Sequence, residues 1–279
     1  MKTKLSIWSG YYREFPIEGS VEEFIKDGIF AAELSTEHGQ ELIDRDPDVV
    51  KTGKALRAFL TEKKFDMSQG HLWLRSNICS CPEAVEILCR WIDMYEAIGI
   101  KSMVLHCDML EGSGLSKAER LAQNLARLRL LAAHVEGKDV TVCLENLRPE
   151  KEDDPSERPV QGVDDLLYLI DQLGSDRFGI CLDTGHLNLT DKDQKAFIRK
   201  AGRRLKALHI ANNDGVADHH IMPFGRGNVN FFHVVEALLE VEYEGLFNYE
   251  IGGEGGIPLA LRHEKVKFIK AGYAYLMGE

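Results

Sequence analysis

The segment from His209 to His220 carries three histidines and two aspartates within twelve residues, in the stretch HIANNDGVADHH. Such a density of imidazoles and carboxylates is typical of a metal site, a proton-handling site or a solvated loop. If this piece of chain is extended, Asp218 and His220 point to the same side and His219 points away. The segment therefore raises two questions: whether the chain binds metal, and how many ions it binds.

Residues of the same kinds occur where other apolar, strand-like runs end. The third to the eighth of these runs each finish on or near a histidine, an aspartate or a glutamate. These residues are His71, His106, Glu145, Asp183 with His186, His209, and Glu250. A buried carboxylate must be paired or coordinated, so three carboxylates that converge with several histidines favour a cation between them.

The apolar runs are of strand length, and segments with helical spacing of apolar residues separate them. Strands are predicted at Leu5–Ser9, Ala31–Ser35, Phe65–His71, Ser102–Cys107, Val140–Asn146, Phe178–Thr184, Leu205–Ala211 and Leu246–Ile251. Helices are predicted at Val21–Gly28, Pro47–Lys63, Pro82–Gly99, Lys117–Val135, Val163–Leu173, Asp191–Ala201, Phe231–Glu240 and Pro258–Met277. Strands that are apolar nearly throughout indicate a parallel sheet buried on both faces.

Eight such units in 279 residues predict a single (β/α)8 TIM-barrel domain over residues 1–279. The competing architecture, an open doubly wound sheet, usually has a glycine-rich phosphate loop after its first strand, and no such motif follows Ser9 here. In a barrel the carboxyl ends of all strands converge on one mouth. The charged, proline-containing loop Arg148–Pro159 follows the fifth strand, so we expect it over that mouth.

The donor types indicate which cation would bind. Glu145, Asp183, His209 and Glu250 together offer mainly oxygen ligands and one nitrogen. That set suits Mn²⁺, Zn²⁺, Co²⁺ or Mg²⁺ and argues against Cu(I) and iron–sulfur clusters.

Composition narrows the class of partner. The formal net charge of −11 argues against non-specific binding of nucleic acid or anionic membranes. No apolar run reaches the length of a transmembrane helix, and the first ten residues make a poor signal peptide. Six cysteines without zinc-finger or zinc-ribbon spacing fit reduced thiols. A cytoplasmic protein, which can form a homo-oligomer, is therefore expected.

The motifs CLEN, CLDTGH, DHHIMPFGRGN and NYEI together resemble the xylose isomerase-like TIM-barrel superfamily. The similarity is greatest to its sugar (or sugar phosphate) isomerase/epimerase branch, which includes ketose 3-epimerases. The resemblance implies one divalent metal on Glu145, Asp183, His209 and Glu250. It also implies that His186, three residues after the aspartate, contacts the substrate, and that Glu33 occupies a substrate-contacting position.

A sister branch contains abasic-site DNA endonucleases that bind three zinc ions through nine ligands. The resemblance to that branch would add further metal ligands at His71, His106, His186, Asp218 and His220. Clustered basic and aromatic residues suited to gripping a nucleic-acid backbone are not found, so nucleic acid is not the expected partner. In sugar-directed relatives several of these residues hold substrate hydroxyls or phosphate instead.

The expected function is a metal-dependent isomerase or epimerase of a sugar or sugar phosphate. It would move a proton on the carbon next to a carbonyl through a metal-stabilised enediolate. Glu145, Glu250 and His186 are the predicted catalytic residues, and substrate contacts are predicted for Glu33, His71, His106 and Arg226. The alternatives are a three-zinc phosphodiester hydrolase of the abasic-site type, a lyase or dehydratase on the same scaffold, and a binding barrel that retains the metal residues.

Overall fold

The computed structural model describes residues 3–74, 77–148, 158–252 and 257–279. Within these ranges the chain alternates strands and helices. The strands are β1 Lys4–Trp8, β2 Ala31–Leu34, β3 Asp66–His71, β4 Ser102–Leu105, β5 Thr141–Glu145, β6 Phe178–Asp183, β7 Leu205–His209 and β8 Leu246–Tyr249. The helices are α1 Ile17–Lys26, α2 Thr36–Arg45, α3 Val49–Lys63, α4 Ala84–Ile98, α5 Lys117–Val135, α6 Val163–Leu173, α7 Thr184–Asn188, α8 Gln194–Ala201, α9 Phe231–Glu240 and α10 Leu259–Met277.

The strands form one parallel sheet in the order β7-β6-β5-β4-β3-β2-β1-β8. Beyond the end of β7, Ile210 bridges Tyr249 of β8 in parallel, and its amide donates to the carbonyl of Asn248 at 2.7 Å. The sheet therefore curves round until its two edge strands meet, which gives the predicted (β/α)8 TIM barrel.

The strands are buried because both of their faces are covered. Every residue of β2, β6 and β8 is buried, and in β5 all residues except Thr141 are buried. The inner face packs side chains inside the barrel, and the outer face packs on the helices. This arrangement explains why the sequence shows continuous apolar runs instead of alternation.

Local signals fix where several helices begin. Ser116 and Glu119 form a capping box at the start of α5, so this helix matches its predicted bounds. Asp48 accepts a hydrogen bond from the amide of Lys51, so α3 begins at Val49 and not at the predicted Pro47. Asp193 caps α8 in the same way, so that helix begins at Gln194.

Two helices were not predicted. α2 follows β2 directly, its apolar residues are too few for a clear periodicity, and its start depends on the Ser35 side chain. α7 is one turn long, and its N-cap is Asp183. The loop predicted at Arg148–Pro159 lies, apart from its ends, outside the described residues. None of the helices in the described ranges is long and apolar enough to cross a membrane.

Candidate metal centre

A cavity of about 960 Å³ opens at the carboxyl ends of the strands. Most of the residues singled out from the sequence border it, namely His71, His106, Glu145, His186, Asp218, His220 and Glu250. Asp183 and His209 are fully buried, and they face each other across the β6–β7 pair. The fold therefore brings together side chains that are far apart in the sequence.

The main ligand group is the one predicted from the sequence. One donor atom from each of Glu145, Asp183, His209 and Glu250 lies within 4.8 Å of the others. His209 Nδ1 lies 3.3 Å from Glu145 Oε1 and 3.2 Å from Glu250 Oε2. Three carboxylates and one imidazole at this spacing suit a divalent ion such as Mn²⁺ or Zn²⁺.

Two buried atoms test whether these residues fit an ion. Asp183 Oδ2 and His209 Nδ1 have no hydrogen-bond partner among the described residues, although both side chains are fully buried. A buried polar atom without a partner is costly, and a cation coordinated by both atoms would remove that cost. The residues present therefore fit a divalent metal.

The hydrogen bond made by His209 Nε2 determines that Nδ1 faces the ligand group. His209 Nε2 donates to Glu33 Oε2 at 2.9 Å, which leaves the lone pair of Nδ1 for the ion. Gln69, the neighbour of Glu33 across the β2–β3 pair, also donates to Glu33 Oε2, and Asn248 Nδ2 donates to it at 3.2 Å. Glu33 is fully buried behind His209 and is not among the residues that border the cavity.

This geometry predicts the effect of replacing Glu33 with glutamine. Loss of the carboxylate that orients His209 is expected to weaken divalent-ion affinity by about 10–100-fold. The metal-free protein should still fold, because glutamine keeps the size of the side chain and one oxygen that can accept the hydrogen bonds now made to Oε2. Chelator competition and thermal unfolding measure the two effects. Glu23→Gln, at a buried carboxylate of α1, is the matched control; an unchanged affinity with a lowered unfolding temperature for Glu33→Gln would assign Glu33 a packing role only.

A second ligand group consists of His71, His106 and Glu145. His71 Nδ1 donates to the carbonyl of Leu72 at 2.8 Å, so its Nε2 faces the group. His106 Nε2 lies 2.9 Å from Glu145 Oε2 and 3.3 Å from His71 Nε2.

A third group surrounds Asp218. His186 Nδ1 donates to the carbonyl of Asn146 at 3.0 Å, and His220 Nδ1 donates to the carbonyl of Glu250 at 2.9 Å. Their Nε2 atoms lie 3.4 Å and 3.1 Å from the carboxylate of Asp218. His186 and His220 also form a ligand set with Asp183. Backbone carbonyls thus hold His71, His186 and His220 in an orientation typical of metal ligands.

Burial and neighbouring charges set the protonation of the carboxylates. Burial raises the pKa of Glu250 to about 7, against the lowering effect of His209 and His220. Burial also opposes ionisation of Glu145, but His209 and His106 outweigh it and lower the pKa of its carboxyl well below the usual value. Burial favours neutral His209, yet the carboxylates of Glu250, Glu33 and Glu145 outweigh it and raise the pKa of the imidazole.

These directions predict how metal binding depends on pH. A divalent ion binds ionised carboxylates and neutral imidazoles, so a raised pKa at Glu250 or His209 means that a proton must leave when the ion binds. Affinity is therefore expected to rise between about pH 6 and pH 8, with net proton release. Calorimetry in buffers of different ionisation enthalpy measures that release, and an affinity that falls with pH over this range would contradict the prediction.

The sequence analysis did not single out Asn146, which lies beside the candidate ligands. The Asn146 side chain exchanges hydrogen bonds with the backbone of Asp183, at 2.8 Å and 3.0 Å, and thereby fixes β6 beside β5. Its position directly after Glu145 was the one available signal. Arg226, predicted to bind substrate, is exposed and does not border the cavity.

The sequence is similar to those of several known proteins. The chain is 26% identical over 203 residues to the D-psicose 3-epimerase of Enterocloster bolteae, which covers 68% of this chain and 63% of that protein. It is 25% identical over 170 residues to a probable endonuclease 4 of Mycoplasma pneumoniae, which covers 56% of each chain. The chain thus aligns with less than two thirds of the length of either relative.

Solved structures show the same fold. A D-psicose 3-epimerase from Clostridium cellulolyticum H10, described with D-tagatose, superposes with a TM-score of 0.79 at 17% identity and covers 98% of this chain and 99% of its own. The sequence profile of the xylose isomerase-like TIM barrel family matches residues 25–271. Since that match takes in all of the strands from β2 to β8, the chain belongs to the xylose isomerase-like TIM barrel family.

Proposed function

We propose that the chain is a divalent-metal-dependent isomerase or epimerase of a sugar or sugar phosphate. The observation that carries this proposal is the ligand group of Glu145, Asp183, His209 and Glu250, whose donor atoms lie within 4.8 Å of one another beside a 960 Å³ cavity. Relatives that are named as sugar 3-epimerases support the substrate class. A cavity of this size accommodates a sugar.

The reaction requires a proton to leave the carbon next to a carbonyl and to return to the other face or to the neighbouring carbon. Glu145 ends β5, and Glu250 follows β8, so the two carboxylates approach the cavity from different sides of the barrel. Each can accept or donate a proton at its own side of a bound sugar. When bound, a divalent ion would polarise the carbonyl and stabilise the enediolate.

His186 is the third proposed catalytic group. Its Nδ1 is held by the carbonyl of Asn146, and the side chain is 9% exposed at the wall of the cavity. Its Nε2 can therefore bind a substrate oxygen at the reacting centre. His71 and His106 also border the cavity and are proposed to bind substrate hydroxyls. For Glu33 we propose a role through His209.

A three-zinc phosphodiester hydrolase is the second candidate. The second and third ligand groups favour it, because backbone carbonyls orient His71, His186 and His220 as metal ligands are oriented. A protein named as a probable endonuclease 4 is also among the relatives. It differs from the first candidate in the number of ions that it needs. A lyase or dehydratase would begin with the same proton abstraction and would differ in its product.

We further propose that the protein acts on a small molecule in the cytoplasm and that it can form a homo-oligomer. All six cysteines are unpaired, which suits a reducing compartment.

Parallel incubations distinguish the candidates. The metal-loaded protein is given a panel of ketoses and ketose phosphates, and separately a DNA duplex with one abasic site. A sugar epimer or isomer without strand cleavage supports the proposal. Strand cleavage without sugar conversion would replace it with the hydrolase, and loss of water from a sugar would indicate a dehydratase.

A further inference from the structure

Arg148 binds the carboxylate at the middle of the third ligand group. It lies three residues beyond the end of β5 and borders the cavity. Its Nε donates to Asp218 Oδ2 at 2.7 Å, across 70 residues of sequence. The Asp218 side chain is 12% exposed and that of Arg148 is 38% exposed. The pair is thus part of the cavity wall.

The same carboxylate faces two imidazoles whose other nitrogens are fixed. Oδ2, the atom that binds Arg148, lies 3.4 Å from His186 Nε2. Oδ1 lies 3.1 Å from His220 Nε2. One carboxylate and two oriented imidazoles suit a divalent ion, which would take its position between these donor atoms. A guanidinium on Oδ2 is a positive charge at the same place.

We infer that Arg148 competes with a divalent ion for Asp218 and keeps the His186–Asp218–His220 group free of metal in the native chain. An ion coordinated by Oδ2 would lie beside the guanidinium, and two cations in a partly buried wall repel each other strongly. Arg148 also supplies the charge that a buried carboxylate requires, so the group is neutralised without an ion. The inference concerns the number of ions and does not depend on the reaction, so it can fail while the proposed function holds.

An exposed arginine pair provides a matched control. Arg199 of α8 donates from Nε and Nη2 to the carboxylate of Glu240 of α9, at 2.6 Å and 2.8 Å. Its side chain is 52% exposed, and neither partner borders the cavity. Arg199→Met therefore removes the same charge and one ion pair at a place where no ligand group lies.

The test counts ions. Native protein, Arg148→Met, Arg148→Gln and Arg199→Met are stripped of metal, saturated with Zn²⁺, freed of excess by gel filtration and measured by elemental analysis. Each Arg148 variant is expected to hold one ion more per chain than the native protein and Arg199→Met. Chelator competition should show that the Arg148 variants bind Zn²⁺ at this additional site at least about tenfold more tightly than the native protein does. Changes next to a metal site typically have effects of this size.

A double variant assigns the extra ion. Adding Asp218→Asn to Arg148→Met should return the count to the native value. Thermal unfolding of the metal-free proteins checks that each variant is folded. Arg148 is replaced in two ways so that one folded variant is available if the other does not fold. Equal counts in the native protein and a folded Arg148 variant would overturn the inference. A native count of three ions per chain would overturn it too.

Discussion

Glu145→Gln and Glu250→Gln are each expected to lose nearly all turnover, by about 10²–10⁴-fold, while the fold is retained. Glutamine keeps the size of the side chain and one ligand oxygen, but it cannot accept a proton at neutral pH. The two carboxylates approach the cavity from different strands, so neither can take over the work of the other. Steady-state rates on the ketose that the incubations identify measure the effect.

Two controls make this result specific. Glu236→Gln, at an exposed carboxylate of α9 paired with Lys195, should leave turnover unchanged. The ion content of each variant must also be measured, because both glutamates belong to the ligand group. Loss of turnover with the ion still bound supports the proton-transfer role. Retention of more than about a tenth of the activity in either variant would refute the assignment of acid and base.

Removal of the metal is expected to reduce turnover to the background rate. Four donor atoms lie within 4.8 Å of one another, and two buried atoms, Asp183 Oδ2 and His209 Nδ1, lack a hydrogen-bond partner among the described residues. Dialysis against a chelator should abolish activity, and addition of Mn²⁺, Co²⁺, Zn²⁺ or Mg²⁺ should restore it. Restoration by one ion and not the others identifies the metal that the reaction uses.

Substitution of a candidate metal ligand separates the effect of metal loss from other effects of the chelator. Asp183 caps α7 through Oδ1, which accepts from the amide of His186 at 2.6 Å, and Oδ2 is the atom without a partner. Asp183→Asn keeps one oxygen for the cap and removes the charge needed by the ion. It should therefore be folded, bind metal at least about tenfold more weakly and be nearly inactive. Full activity in the chelated native protein would contradict the metal requirement.

The fold and the clustering of Glu145, Asp183, His209 and Glu250 were predictable because their signals are local. Each of the strands carries its own apolar run, and the ligands stand where those runs end. The barrel then brings strand ends together whatever their separation in sequence. The helix over Lys117–Val135 was predictable to the residue because periodicity and a capping box agree there.

The surroundings of the ligands could not be predicted, because they depend on contacts between distant residues. Glu33 lies 176 residues from His209, and its role follows from the register of β2 with β3 and from the meeting of β8 with β1. Arg148 lies 70 residues from Asp218 in a stretch that reads only as charged loop. The helix Thr36–Arg45 has too few apolar residues for its period to stand out.

Exchange of substrate hydrogen with solvent shows directly whether the protein removes a proton from the carbon next to the carbonyl. Metal-loaded protein is incubated with the ketose panel in D₂O, and deuterium at the carbon next to the carbonyl is measured by NMR and mass spectrometry. The account predicts incorporation at that carbon by the native protein, and none by the metal-free protein, Glu145→Gln or Glu250→Gln. Epimer or isomer formed by the native protein with no deuterium at that carbon would contradict the proton-transfer mechanism.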